Sequence, residues 1–352
     1  MILEETKILK VRPDLSGDGD IEKIAFAAEI IRRGGIVAFP TETVYGLGAN
    51  ALDEKAVASI FTAKGRAQDN PLIVHISKAS DIEKYAFCEN SESAQILMSQ
   101  MPAPLTIILP KKQIIPLCVT AGLENVAMRV PQNIVARKLI ELSERPICAP
   151  SANLSGKPSP TKAWHVEADL TGKADVIIDG GDCEVGLEST VVSLCYDTPK
   201  LLRPGGFTYE RLCELLGEVE ISDAVLERLK EGQTAESPGM KYKHYAPETK
   251  IILVKGAKEK VRVFLGEKYK EENCGIICFA EDTDKEDGRI LIMGSRQNEG
   301  EYAEKMFDAL RLTDKICGID TFYAVLPETT DGISLAIYNR MLRAASFNII
   351  EL

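Results

Sequence analysis

Histidine is nearly missing from this chain: three in 352 residues, at positions 75, 165 and 244. A zinc centre built on imidazoles is therefore not expected. The nine cysteines include no C-x-x-C pair, and an odd, scattered set reads as reduced, buried thiols of a cytoplasmic protein. No apolar run approaches the roughly 18 residues of a membrane span, and MILEETKILK lacks a signal peptide's apolar core. Positive charge is also short, with a net −11. Residues 1–207 carry 22 Lys+Arg against 26 Asp+Glu, and residues 208–352 carry 20 against 27. General attraction to nucleic acid is not supported, so an RNA contact would need a local basic patch. No Walker A sequence, Ser-His-Asp order, Cys-His pair, metal-type cluster, internal repeat or low-complexity tract is present.

What is present suffices for two domains, since 45% of the residues are hydrophobic. Apolar positions Ile21, Ile24, Ala28 and Ile31 predict a helix over 20–34, stopped by Gly34 and Gly35. A short strand, IVAF, follows. Asp53 is placed to cap a second helix, with Gly65 just past its end. Strands are predicted at 71–76, 105–109, 125–130, 146–149, 175–179, 189–194 and 200–203, interleaved with helical segments. This is the pattern of an α/β domain with a mixed sheet. Residues 232–247 show no periodicity and read as a linker or a flap. Beyond them, strands at 251–255, 274–280, 290–293 and 322–327 alternate with helices at 299–316 and 333–345, predicting a smaller, doubly wound α/β domain.

Chemistry gathers at the predicted strand ends. In PTETVYGLGANALD (40–53), hydroxyls interrupt an apolar segment, and Gly46 and Gly48 are expected to break the chain before the next helix. G-x-G-x-x-A formally fits a dinucleotide fingerprint. However, five polar or turn residues separate it from its strand, and the position about twenty further on is Arg66, not an acid. In AKGRAQDNPLIVHI, Lys64 and Arg66 either decorate a helix C-terminus or face a ligand. His75 alone is more often a satisfied core histidine. Arg129, inside VAMRVP, must meet an acid, carbonyls or an anionic ligand unless its strand face is exposed. Ser151, Asn153, Ser155, Lys157, Ser159 and Thr161 follow a strand in CAPSANLSGKPSPT, as an oxyanion-holding loop or an ordinary capped turn. Ser189 opens a strand and Arg203 closes one. MKYKHYAP is a solvated linker or an aromatic-bearing flap. Recurring cations and hydroxyls suit phosphate chemistry run by positioning and electrostatic stabilisation.

In this order and spacing, PTETVYGLGANA, KGRAQDNPLIVHI, MRVP, APSANLSGKPSPT, GLESTVV, LRPGG and SPGMKYKHYAP resemble the YrdC-type threonylcarbamoyl-adenylate synthases in their long form. The resemblance covers about residues 20–247, with K-x-R as Lys64-x-Arg66 and S-x-N as Ser151-x-Asn153. It implies a YrdC-like twisted mixed sheet over residues 1–215, a linker or flap over 216–248, and a Rossmann-like domain over 249–352.

By resemblance, the reaction takes L-threonine, bicarbonate and ATP, with Mg2+ accompanying ATP, and releases pyrophosphate. The product would pass to a downstream tRNA threonylcarbamoyl transferase acting beside the anticodon. Thr43, His75, Arg129, Ala149 and Ser189 would hold threonine. Arg66, Asn70, Asn125, Ser151, Ser159, Arg203 and Tyr245 would hold ATP. Lys64, Arg66, Ser151 and Asn153 would carry catalysis, and no protein metal ligands are implied. On this view Gly46 and Gly48 keep the backbone clear of the amino acid. Two rivals remain: an RNA-gripping module without chemistry, and an adenylate-forming enzyme using another amino acid.

Overall fold

Asp53 does cap a helix, accepting from the amides of Lys55 and Ala56, and Gly65 ends that helix in the left-handed region. These two local signals fix helix α2 within the computed structural model, which describes residues 5–227, 245–285 and 287–352. The described residues form two compact units. One holds residues 5–155, 159–184 and 188–227; the other holds 156–158, 185–187 and 245–352. Most of the anticipated flap, including His244, lies at 228–244, outside the described residues.

The first unit runs β1 (Lys7–Lys10), α1 (Asp20–Arg32), β2 (Val37–Phe39), β3 (Gly46–Asn50), α2 (Glu54–Lys64) and β4 (Ile73–His75). It continues through α3 (Glu92–Ser99), β5 (Leu105–Pro110), α4 (Leu117–Thr120), β6 (Asn125–Arg129), α5 (Ile134–Ser143) and β7 (Ile147–Ala149). The last elements are α6 (Ala163–Leu170), β8 (Val176–Asp179), β9 (Thr190–Ser193), β10 (Lys200–Arg203), α7 (Tyr209–Leu216) and β11 (Glu220–Ile221). Eleven strands make one mixed sheet, ordered β1-β8-β2-β3-β7-β4-β6-β5-β9-β10-β11. Helix α1 buries Ile24, Ala27, Ala28 and Ile31 against Phe39, Leu139, Ile147 and Val176. Each buried Ile, Leu, Val or Phe side chain of this set contributes roughly 1.5–3 kcal/mol, and each alanine less. Ile21, expected on that face, is exposed, and Ala27 takes its place.

The structure corrects the reading of Gly46 and Gly48. They do not break the chain: GLGAN is strand β3, paired antiparallel with β2 and then β7. A Cβ on Gly48 would stand 2.6 Å from Ile147 Cγ2 and 2.7 Å from Phe39 Cε1. The glycines therefore make room for the Phe39 ring and a neighbouring strand. We expect Gly48→Ala to destabilise the protein by roughly 1–3 kcal/mol in urea unfolding, the cost of overpacking a filled core. An unchanged midpoint would contradict this packing role.

The second unit contains β12 (Lys250–Lys255), α8 (Lys258–Lys268), β13 (Cys274–Cys278), β14 (Ile290–Ile292), α9 (Glu299–Thr313), β15 (Thr321–Val325), α10 (Ser334–Ala344) and β16 (Ile349–Glu351). All its strand pairs are parallel, in the order β14-β13-β15-β12-β16. Parallel neighbours need crossovers, and the helices supply them. Phe279, Tyr302, Phe307 and Phe322 fill its core.

Candidate active site

The β2–β3 turn, residues 40–45, is organised by one hydroxyl. Thr41 Oγ1 donates to the Val44 carbonyl at 2.6 Å and accepts from the Thr43 and Val44 amides, both at 3.2 Å. Its neighbour Glu42 meets Arg129 at the end of β6. Arg129 Nη2 donates to Glu42 Oε1 at 2.6 Å and to Thr43 Oγ1 at 2.9 Å. Arg129 thus finds an acid and a hydroxyl. Its strand lies between β4 and β5, so the exposed-edge alternative does not apply. Both ions are buried, and such a pair holds only where hydrogen bonds offset desolvation. Arg129 Nε is buried with no partner among the described residues, a donor available to a ligand.

His75 sits level with Arg129 across the parallel β4–β6 ladder. Burial, and then the guanidinium beside it, lower its imidazole from 6.5 to about 3. The folded protein keeps it neutral, whereas the unfolded chain takes up a proton near 6.5. Stability is therefore lost as pH falls through that interval, by about 1.4 kcal/mol per pH unit inside it. Urea unfolding between about pH 6 and 4.5 checks this, with His75→Phe expected to remove that share of the slope. Equal slopes in the two proteins would contradict a neutral buried ring.

A second cluster joins α2 to the loop after β7. Lys64 is buried; its Nζ donates to the Ser151 carbonyl and, at 2.5 Å, to the Asn153 carbonyl. Ser151 Oγ donates to Asn153 Oδ1 at 2.5 Å. Arg66 Nη2 reaches the Asn70 and Pro71 carbonyls, each at 3.2 Å. Asn70 is buried, and its Oδ1 has no partner among the described residues. The Thr41–Tyr45 turn lies against this loop: the Tyr45 amide donates to Pro160, and the Ala152 amide donates to Tyr45.

The third group follows across the sheet. Arg203 Nε donates to the Ser189 carbonyl at 3.0 Å and its Nη2 to Ser189 Oγ at 3.1 Å. Ser189 Oγ also meets Thr106 Oγ1 at 2.8 Å. Ser159 donates to the buried carboxylate of Glu188 at 2.5 Å. Register aligns His75 with Arg129, and Thr106 with Val191, which pairs with Arg203 across a bulge. Ala149 lies two pairs back, opposite Ile73. Asn125, by contrast, opens β6 four residues before Arg129, about 13 Å along the strand. Tyr245 belongs to the second unit, where its ring packs on Phe307 with centroids 5.2 Å apart.

Glu42, Thr106 and Glu188 went unassigned from sequence. Glu42 stood within the quoted turn; Thr106 is hidden in the apolar run LTIIL, and only its strand partner reveals it. Among the described residues no group of three or more His, Cys, Asp or Glu side chains is placed to hold a metal ion. No helix among them is long and apolar enough to cross a membrane.

The structure thus holds three groups of cations and hydroxyls: Arg129 with Thr43 at the β2–β3 turn, Lys64 with Ser151 and Asn153 after β7, and Arg203 with Ser189 and Thr106 farther along the sheet. A family model described as "Telomere recombination" matches residues 29–205, and one described as "Threonylcarbamoyl-AMP synthase, C-terminal domain" matches residues 207–346. The chain is 48% identical to the threonylcarbamoyl-AMP synthase of Pyrococcus abyssi, over 94% of this chain and 96% of that one. It is 42% identical to the Bacillus subtilis protein of the same name, over 94% of each. The crystal structure of P. abyssi Sua5 complexed with L-threonine superimposes with a TM-score of 0.91 at 46% identity, covering 99% of this chain and all of that one. The chain belongs to the threonylcarbamoyl-AMP synthase family, in its two-domain form.

Proposed function

We propose that the protein makes L-threonylcarbamoyl-AMP and pyrophosphate from L-threonine, bicarbonate and ATP. The observation that carries this reading is the Glu42–Arg129–Thr43 cluster, a buried guanidinium with donors to spare, in a fold whose P. abyssi counterpart is described with L-threonine. In this reading Arg129 takes the threonine carboxylate, flanked by Thr43, neutral His75, Ala149 and Ser189. The amine adds to the carbon of bicarbonate and a hydroxyl leaves as water, giving a carbamate. A carbamate oxygen then attacks the α-phosphorus, and pyrophosphate departs.

Both reactants are anions, so cations must offset their repulsion. Arg66 and Arg203 suit the nucleotide's phosphates, with Asn70, Ser151, Ser159 and Asn125 as further ATP contacts. Lys64 and Asn153 suit the bicarbonate-derived group. Without a carboxylate cage among the described residues, Mg2+ would be held chiefly by the nucleotide's own phosphates and water, where it would neutralise charge. The product's use in modifying tRNA beside the anticodon, by a downstream transferase in the cytoplasm, belongs to the same proposal.

The test is pyrophosphate release with threonine plus bicarbonate, against either omitted and against serine or valine in threonine's place. Release is expected only with the complete set. Release that ignores threonine would overturn the proposal.

A further inference from the structure

We propose that Glu42 is a positioning residue of the amino-acid subsite, acting through Arg129; this rests on the function proposed above. Its carboxylate is 2% exposed, and both oxygens are committed to the segment at the end of β6. Oε1 accepts from Arg129 Nη2 at 2.6 Å, and Oε2 accepts from the Gln132 amide at 3.0 Å. The two Nη2 hydrogens go to Glu42 and to Thr43 Oγ1, so the guanidinium is held at two points. Thr43 is fixed in turn. Because Thr41 donates its proton to the Val44 carbonyl, Thr43 must be the donor in the 2.8 Å contact between the two hydroxyls. Hydrogen-bond polarity therefore runs from Arg129 through Thr43 and Thr41 to a backbone carbonyl. Glu42 anchors the head of that chain.

An amide at position 42 cannot do the same work. Glutamine has one acceptor oxygen and one NH2, while both of the carboxylate's partners are donors. Whichever way the amide turns, its NH2 faces either the Arg129 guanidinium or the Gln132 amide. The guanidinium must then move from its present aim, while the residues proposed for ATP are untouched.

The experiment is steady-state pyrophosphate release by the full chain, with calorimetry of threonine binding beside it. Glu42→Gln is expected to raise the threonine KM and dissociation constant at least about tenfold, with the ATP KM and kcat at saturating threonine within about twofold. Glu42→Asp keeps two acceptors on a shorter stem and is expected to raise the threonine KM by only about threefold; it carries the test should Glu42→Gln fail to fold. In an Arg129→Lys background, adding Glu42→Gln is expected to cost less than about twofold more, because the group it acts through is already displaced. Unchanged or tighter threonine binding in folded Glu42→Gln overturns the proposal. Equal losses for threonine and ATP, or full additivity with Arg129→Lys, also overturn it. Failure of the underlying reading looks different: the wild-type protein itself shows no threonine-dependent release.

Discussion

Replacing Arg129 with alanine is expected to abolish threonine binding and to destabilise the protein by roughly 3–5 kcal/mol, since Glu42 is left buried and without its cation. The stability effect follows from the 2.6 Å contact between the two groups, and the binding effect from the role proposed for the guanidinium. Neither partner reaches water, so neither can recover the interaction from solvent. Removing both partners should be gentler on stability than removing either one, because no isolated charge remains. Calorimetry with threonine, paired with urea unfolding of Arg129→Ala and of the Glu42→Ala, Arg129→Ala double variant, checks both halves. Threonine binding that survives in Arg129→Ala would remove this arginine from the site.

The second large effect is expected at Lys64. Lys64→Met keeps the apolar stem and its length but deletes the ammonium that donates to the Ser151 and Asn153 carbonyls. Those carbonyls converge because a cation sits between them. Without it they repel, and the Ser151 hydroxyl moves with the loop. We expect pyrophosphate release to fall at least about a hundredfold, a loss of about 2.7 kcal/mol in transition-state stabilisation, with helix content by circular dichroism unchanged. Activity within a few-fold of wild type would reduce Lys64 to a helix-end decoration.

Local signals were legible wherever physics acts over a few residues. The Asp53 cap and the Gly65 stop delimited α2, and apolar runs located most interior strands. Strand β3 was not legible. Its glycines are selected by the Phe39 ring and Ile147, which lie across the sheet, and so they mimic a turn or a phosphate fingerprint. β1 and β11 are short edge strands of largely exposed residues, and they carry no buried periodicity to detect. The site divided in the same way. Arg129 announced that it needed a partner, but not which one. Glu42 lies 87 residues away, and only the placement of the β2–β3 turn against β6 brings them together. Thr106 lay inside an apolar run and gains meaning only through Ser189.

Arg129 and Arg203 stand on β6 and β10, with β5 and β9 between them. Three steps at the usual strand spacing separate their backbones by about 14 Å. That span is set by ladder hydrogen bonds and not by adjustable side chains, so the sheet works as a ruler. A ligand bridging the two guanidinium groups is gauged for length by the backbone itself. Point substitutions along the row retune which groups are gripped and trim the reach by a side chain's length, while the strand order fixes the underlying spacing.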